Sequence, residues 1–274
     1  MKKTLLVLAL LLVATTICPA FAEKNHGGSG HKTAHDADAA YAKGDYQTAY
    51  EIWLTFADKG SYAQYSLGRL YANGQGVAQS NRTARDWWQK SMRDIEQSRV
   101  LLSILPEPSD PQYTYATIHE KWQPAAAAGD ADTQYKLAFL YLTGIGVPQN
   151  DTKALVWFEK AANQNHAAAQ YQLGKIHDRS NRVPCAAAQA IQWWEKASAL
   201  GNADAQNILA LRYDMGFHLT PHYPRDECRA IALREQAAAQ GHPEAQTWLA
   251  QTYMYDQPHC NLVANRDKAR ALLE

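Results

Sequence analysis

Beyond residue 22 the chain has no uninterrupted apolar run long enough to cross a bilayer, which excludes a helical membrane protein once any leader is removed. Charge of one sign is also lacking: 27 Lys and Arg stand against 27 Asp and Glu, and the bases do not cluster. Nucleic acid is therefore not the partner, since neutralising a phosphate backbone takes grouped Lys and Arg. Familiar catalytic signatures are missing too. There is no phosphate-binding glycine loop, and Gly27-Gly28-Ser29-Gly30-His31 ends in histidine where a nucleophile elbow needs glycine. His119-Glu120 lacks the second histidine of a zinc helix, because Gln123 occupies that place. Cysteine is scarce, at four, so disulfides cannot be the framework.

What is present begins with an export pattern. Lys2-Lys3 precede an apolar run from Leu5 to Ala14, followed by Pro19 and the small-x-small site Ala20-Phe21-Ala22. Cleavage after Ala22 would remove two bases and no acid, leaving a slight acidic excess and a periplasmic or secreted protein. Two other fates stay open: an uncleaved anchor over Thr4 to Ala22, and lipid attachment at Cys18, which the bulky Ile17 disfavours. Residues 23–35 are polar and glycine-rich and read as a flexible leader, with His26, His31 and His35 in a solvated tail or, as the alternative, holding a metal weakly.

From Asp36 onward one pattern recurs. Trp53, Trp87, Trp122, Trp157 and Trp193, with Leu233 and Leu272 in equivalent places, follow at intervals of 34 to 40 residues, the mark of a solenoid of helix pairs. In Thr133 to Leu142 small and apolar residues lie on one helical stripe, Gly144 offers a left-handed cap, and Asn150 or Asp151 starts the next helix. The same first helix returns at Ala63, Ala169, Ala205 and Ala245, always with a small sixth residue: Gly68, Ala138, Gly174, Ala210 and Ala250. Glycine inside a helix costs about 1 kcal/mol relative to alanine, so its recurrence predicts a close helix crossing there. The returns between units carry Gly60, Gly129, Gly201 and Gly241, with Asn165 in the left-handed position of another.

Residues 92–128 keep the tryptophan spacing but not the first-helix motif. Leu101, Leu102, Ile104 and Leu105 stand in its place and Pro106, Pro108 and Pro111 fill the turn, which predicts a degenerate repeat or a linker between two blocks. Of the cysteines outside the leader, Cys185, Cys228 and Cys260 all fall near turns of the last three units, and Cys228 with Cys260 is the expected disulfide. The alternative, a metal held by His218, His222, Cys228, His259 and Cys260, matches no standard spacing, and no metal is expected.

The motif A-Q-x-x-L-G-x-x-Y, G-x-G-V, then K-A-x-x-W-x-x-K-A-A resembles the Sel1-like repeat family, relatives of tetratricopeptide repeats. It is carried by Ala63-Gln64, Leu67-Gly68, Tyr71 and Gly74 to Val77, and by Gly144 to Val147, Lys153-Ala154, Trp157 and Lys160 to Ala162. The resemblance covers most of 36–274 and implies an all-α, right-handed α-solenoid of about six helix-turn-helix repeats. It further implies a protein that binds proteins, with no catalytic residue and no cofactor.

Residue types that recur, such as Tyr65, Tyr135, Tyr171 and the tryptophans, read as packing. Residues on the other face of the first helices that change between units read as a partner-binding groove: Arg69, Lys136, Phe139, Lys175, Leu211, Trp248 and Gln251, with Arg69 and Trp248 as anchors. The expected function is an exported adaptor that holds a protein partner in the cell envelope. An immunity or inhibitor protein that neutralises an enzyme is the alternative, and a cell-wall hydrolase with its chemistry in the groove is the third reading.

Overall fold

Helices account for the regular structure of the described residues. The computed structural model describes residues 33–106, 114–179, 184–216, 225–255, 260 and 263–273. The export segment, residues 23–32 of the leader, and His218, His222 and His259 lie outside these residues. Among the described residues there are fourteen α-helices and no strand, and none of the helices is long and apolar enough to cross a membrane.

In chain order they are α1 (Ala34–Ala42), α2 (Tyr46–Phe56), α3 (Ser61–Asn73), α4 (Asn81–Ser91), α5 (Glu96–Ile104), α6 (Tyr115–Ala127), α7 (Ala131–Thr143), α8 (Asp151–Ala162), α9 (Ala167–Arg179), α10 (Pro184–Ala199), α11 (Ala203–Met215), α12 (Glu227–Ala239), α13 (Pro243–Thr252) and α14 (Arg266–Ala271). Each odd-numbered helix except α5 packs against the even-numbered helix that follows it, and consecutive hairpins stack. The result is an α-solenoid in which each unit buries its apolar stripe on its neighbours.

The recurring letters of the motif have separate tasks. Gln64, Gln134 and Gln170 donate from Nε2 to the carbonyls of Ala57, Ala126 and Ala162, at 2.7, 2.9 and 3.0 Å, each in the closing turn or cap of the preceding helix. The Ala126 and Ala162 carbonyls also accept the turn amides of Gly129 and Asn165 at 3.2 and 3.0 Å, so the glutamine adds a second donor there and sets the register between units. The small sixth residue explains itself at Gly68 and Gly174. A Cβ on either would overlap the indole of Trp88 or Trp194, both fully buried. The close approach lets Trp88 Nε1 donate to the carbonyl of Tyr65 at 3.3 Å and Trp194 Nε1 to that of Tyr171 at 3.2 Å. Where the slot holds the smaller Phe158, the sixth residue is Ala138.

This revises which tryptophan holds the array together. Trp53 is buried, but Trp87, Trp157 and Trp193 are only half-buried, and the residue after each, Trp88, Phe158 or Trp194, fills the core. The half-buried members instead carry lysines over their rings, Lys90, Lys160 and Lys196, at 4.1, 4.1 and 4.3 Å. A lysine one turn on covers the exposed indole with its stem and leaves its ammonium in water.

The turns follow their sequence in most places. Gly144 caps α7 in the left-handed region at φ 69°, and Asn150 accepts from the amide of Lys153 at 2.8 Å to start α8. Gly146 sits against the backbone of Tyr115, the first residue of α6, and Gly76 against that of Tyr46, the first residue of α2, with no room for a Cβ at either. Asn165 takes φ 61°, whereas Gly60 is extended at φ −125° and serves as the N-cap of α3. Cys228, in the first turn of α12, is bonded to Cys260. Cys185 lies in the first turn of α10, its side chain outside the described residues.

Candidate functional site

While the third motif residue also reaches the hairpin partner, with the Tyr135 ring 5.9 Å from that of Phe158 on α8, the fourth and seventh residues of the leading helices α3, α7, α9, α11 and α13 share one face. This is the face on which sequence variation between units points to a groove. Its middle is already occupied. Helix α5 forms no hairpin with α6; it leaves the row, and its side chains reach helices far along the chain. Glu96 accepts from Gln172 Nε2 at 2.8 Å and from Tyr171 Oη at 3.4 Å and is ion-paired with Lys175, all on α9. Arg99 donates to Asp204, in the first turn of α11, at 2.8 Å. Leu101 is fully buried, and Leu105, just past the helix, nearly so. Both ends are pinned, by Ser91 to Ser98 at 2.6 Å and by Arg85 Nη1 to the Leu105 carbonyl at 3.0 Å.

With α5 displaced, the row closes behind it. Asn73, at the end of α3, donates to the Gly144 carbonyl at 2.7 Å and accepts from the Gly146 amide at 2.9 Å, so α3 meets the turn that follows α7 directly. Helix α6 stays with the outer helices: the Tyr115 ring lies 5.9 Å from that of Trp88. The irregular stretch thus keeps its second helix in register and sends its first across the groove face.

The electrostatics of this contact suit permanent burial. Burial, with the carboxylates of Glu96 and Asp204 nearby, pushes the Tyr171 phenol far above its ordinary range, so it meets Glu96 as a neutral donor. Burial works to raise the Asp204 carboxyl, but the His242 hydrogen bond and the Arg99 charge outweigh it and hold the group below 3.8. His242 Nδ1 accepts the amide of Ala245, which leaves Nε2 to donate to Asp204 at 3.3 Å.

The seven residues expected to line the groove separate into three sets. Phe139 requires a correction: only 1% of it is exposed, and it belongs to the same buried cluster as Leu101 and Leu105. Four polar or aromatic members are engaged within the chain. Arg69 donates to Tyr41 Oη at 3.1 Å and lies over the Tyr41 and Tyr65 rings. Lys136 pairs with Asp132, and Lys175 with Glu96. Trp248 has the Arg234 guanidinium 3.6 Å above its ring, and Arg234, itself 2% exposed, is paired with Asp214. Arg69 and Trp248, the two expected anchors, are thus half-buried and each engaged within the chain. Leu211 and Gln251 remain exposed, Leu211 at 45%.

Sequence reasoning missed Glu96 and Arg99, the residues that close the middle of the face, and Met215, which lies one turn beyond Leu211 and is 58% exposed. The apolar stripe of α5 was visible; its destination was not. A cavity of about 290 Å³ in the seam of α11, α12 and α13 is lined by Asp214, Arg225, Glu227, Ile231, Trp248 and Thr252. Arg225 pairs with Glu227 there, as Asp214 does with Arg234. Among the described residues no group of three or more His, Cys, Asp or Glu side chains is arranged to hold a metal.

The Sel1 repeat model matches residues 61–91, 131–166, 167–202, 203–242 and 243–274. It passes over the stretch that contains α5 and α6. Among solved structures, a Sel1 repeat protein from Oxalobacter formigenes is 24% identical with a TM-score of 0.51, over 89% of this chain and 96% of that one. The protective antigen c5321, present in uropathogenic Escherichia coli strains and displaying an SLR fold, is 27% identical with a TM-score of 0.50. The match covers 88% of this chain and 53% of that one, so this chain spans about half of that protein. An immunity protein, Pa5087 from Pseudomonas aeruginosa, is 21% identical with a TM-score of 0.34, over 74% and 81% of the two chains, a superposition too loose to speak to function. Among curated proteins none matches the chain.

Proposed function

This chain belongs to the Sel1 repeat family, and on that premise we propose that it is an exported, non-catalytic scaffold that holds a protein partner on the leading-helix face of α11 and α13. Repeats of this family are protein–protein interaction modules. The observation that carries the placement is the contrast along one face. At the seventh motif position Phe139 is buried and Lys175 is bound by Glu96, whereas Leu211 and Gln251 are open to solvent. The exposed part of an apolar side chain such as Leu211 gains from burial on a partner, about 25 cal/mol for each Å² removed from water. Export to the envelope is part of the proposal and is supported by the signal-like pattern of residues 1–22.

The test uses a photo-crosslinking amino acid at position 211 and, in a separate preparation, at the exposed outer position 192. In envelope extract, position 211 should trap a defined protein that position 192 does not. Equal trapping at both positions, or none at 211, sinks the proposal. Fractionation of cells producing the full chain tests the location separately.

A further inference from the structure

The uncovered section of the face continues a surface that already holds a helix. Helix α5 shows what the leading helices accept: Leu101 buried in the same cluster as Phe139 of α7, a carboxylate bound on α9 and a guanidinium on α11, with the backbone satisfied within the helix itself. Beyond Asp204 the same face runs on along α11 as Ile208, Leu211 and Met215, three and four residues apart and so on one stripe. Ile208 is half-buried and the other two are exposed. Thr247 and Gln251, exposed on α13, border it.

Resting on the scaffold reading, we propose that this section docks an amphipathic α-helix of the partner, laid beside α5, with leucine- or methionine-like side chains on Ile208, Leu211 and Met215. Two physical points select a helix. A helix brings its backbone hydrogen bonds with it, whereas an extended peptide on a row of helices has to find side-chain or water partners for each backbone donor and acceptor. Knobs spaced three and four apart also match the ridges and grooves between helices. The charge of the partner falls at the margins, because the position held by Lys175 on α9 is Leu211 on α11 and Gln251 on α13. An apolar contact stripe with an amide or hydroxyl toward Gln251 and Thr247 is the chemistry that fits.

The probes are two synthetic peptides about 14 residues long, roughly four helical turns, of identical Leu, Gln and Glu content. One has its leucines three and four residues apart and the other has them alternating. With the full chain, the helically spaced peptide should bind about ten-fold tighter than the alternating one. Hydrogen exchange should then slow over 203–215 and 243–252 with 96–104 unchanged. The Leu211→Asp, Met215→Asp double variant should lose about ten-fold in affinity at an unchanged melting temperature. Equal binding of the two peptides, unchanged affinity of the double variant, or faster exchange over 96–104, which would mean that the peptide has taken the place of α5, each overturns the inference. If position 211 still traps a protein after such an outcome, the scaffold proposal stands and only the helical nature of the ligand falls. If the peptides behave as expected but position 211 traps nothing, the scaffold proposal falls instead.

Discussion

Around α9 the leading-helix face is covered by a helix of the same chain, with Lys175, Gln172 and Tyr171 all turned to Glu96. Two helices further on, Leu211 at the seventh motif position of α11 faces water, with Ile208 at the fourth half-buried and Asn207 at the third bonded to Glu244. The two regions share a fold, a repeat length and the small sixth residue, so the difference cannot come from the repeat. It comes from one nine-residue helix that left its place in the row. An irregular stretch in a solenoid can therefore cover the face of its neighbours, and the regular units next to it can be the ones left open.

The largest expected effect separates covered from open apolar residues. Leu101→Ala should cost about 3 kcal/mol in urea unfolding, as for a fully buried leucine. Leu211→Ala should change stability by no more than about 0.5 kcal/mol. Similar costs at the two sites would dissolve the comparison.

Next in size is the helix crossing. Gly174→Ala places a Cβ in the Trp194 indole and should cost about 2 kcal/mol, with Gly68→Ala behaving alike against Trp88. Trp194→Phe in the Gly174→Ala background should recover about half of that loss, because the neighbouring unit pairs Ala138 with Phe158. A double-mutant cycle reads this coupling directly, and additivity of the two changes would refute the account of the small sixth residue.

Smaller still are the rim contacts of α5. Arg99→Ala should lower stability by about 1 kcal/mol or less, since Arg99 and Asp204 are both partly exposed. Its signature is local: faster hydrogen exchange at the start of α11 with that of α3 unchanged.

The smallest effect is pH dependence in the middle of the array. Burial depresses the imidazoles of His119, His166 and His177 below 6.5. Glu120 beside His119, Asp132 beside His166 and Glu159 beside His177 oppose the shift, while Lys153 and Lys136 add to it for the first two. A histidine with a lowered folded pKa contributes stability that is full above pH 6.5 and is lost as pH falls through the folded value. Unfolding followed from pH 7 to pH 5 should show a gradual decline. Asp204 has the same sign at lower pH: its contribution is present above 3.8 and vanishes as pH falls through its depressed folded value, so the Arg99 contact should survive that range.

Much of this architecture was legible before any coordinates. The stripe in Thr133 to Leu142, the cap at Gly144, the start at Asn150 and the left-handed Asn165 each follow from local stereochemistry, which a residue carries wherever it sits. The tryptophan doublets were legible only in part. Periodicity marks an aromatic residue as facing a neighbour without saying whether Trp87 or Trp88 goes deeper, because the two differ by a rotation of one residue about the helix axis.

The repeat, its helices and its close crossings were determined by sequence alone, since propensity, capping and the absence of a side chain at Gly68 or Gly174 act within or between adjacent helices. The state of the groove was decided by tertiary structure. Glu96 meets α9 and Arg99 meets α11 across 76 and 105 positions of chain, and a contact of that separation depends on how the whole array curves. No local pattern encodes that curvature, so Phe139 and Leu211, alike in sequence as apolar residues at one motif position, end up one buried and one exposed.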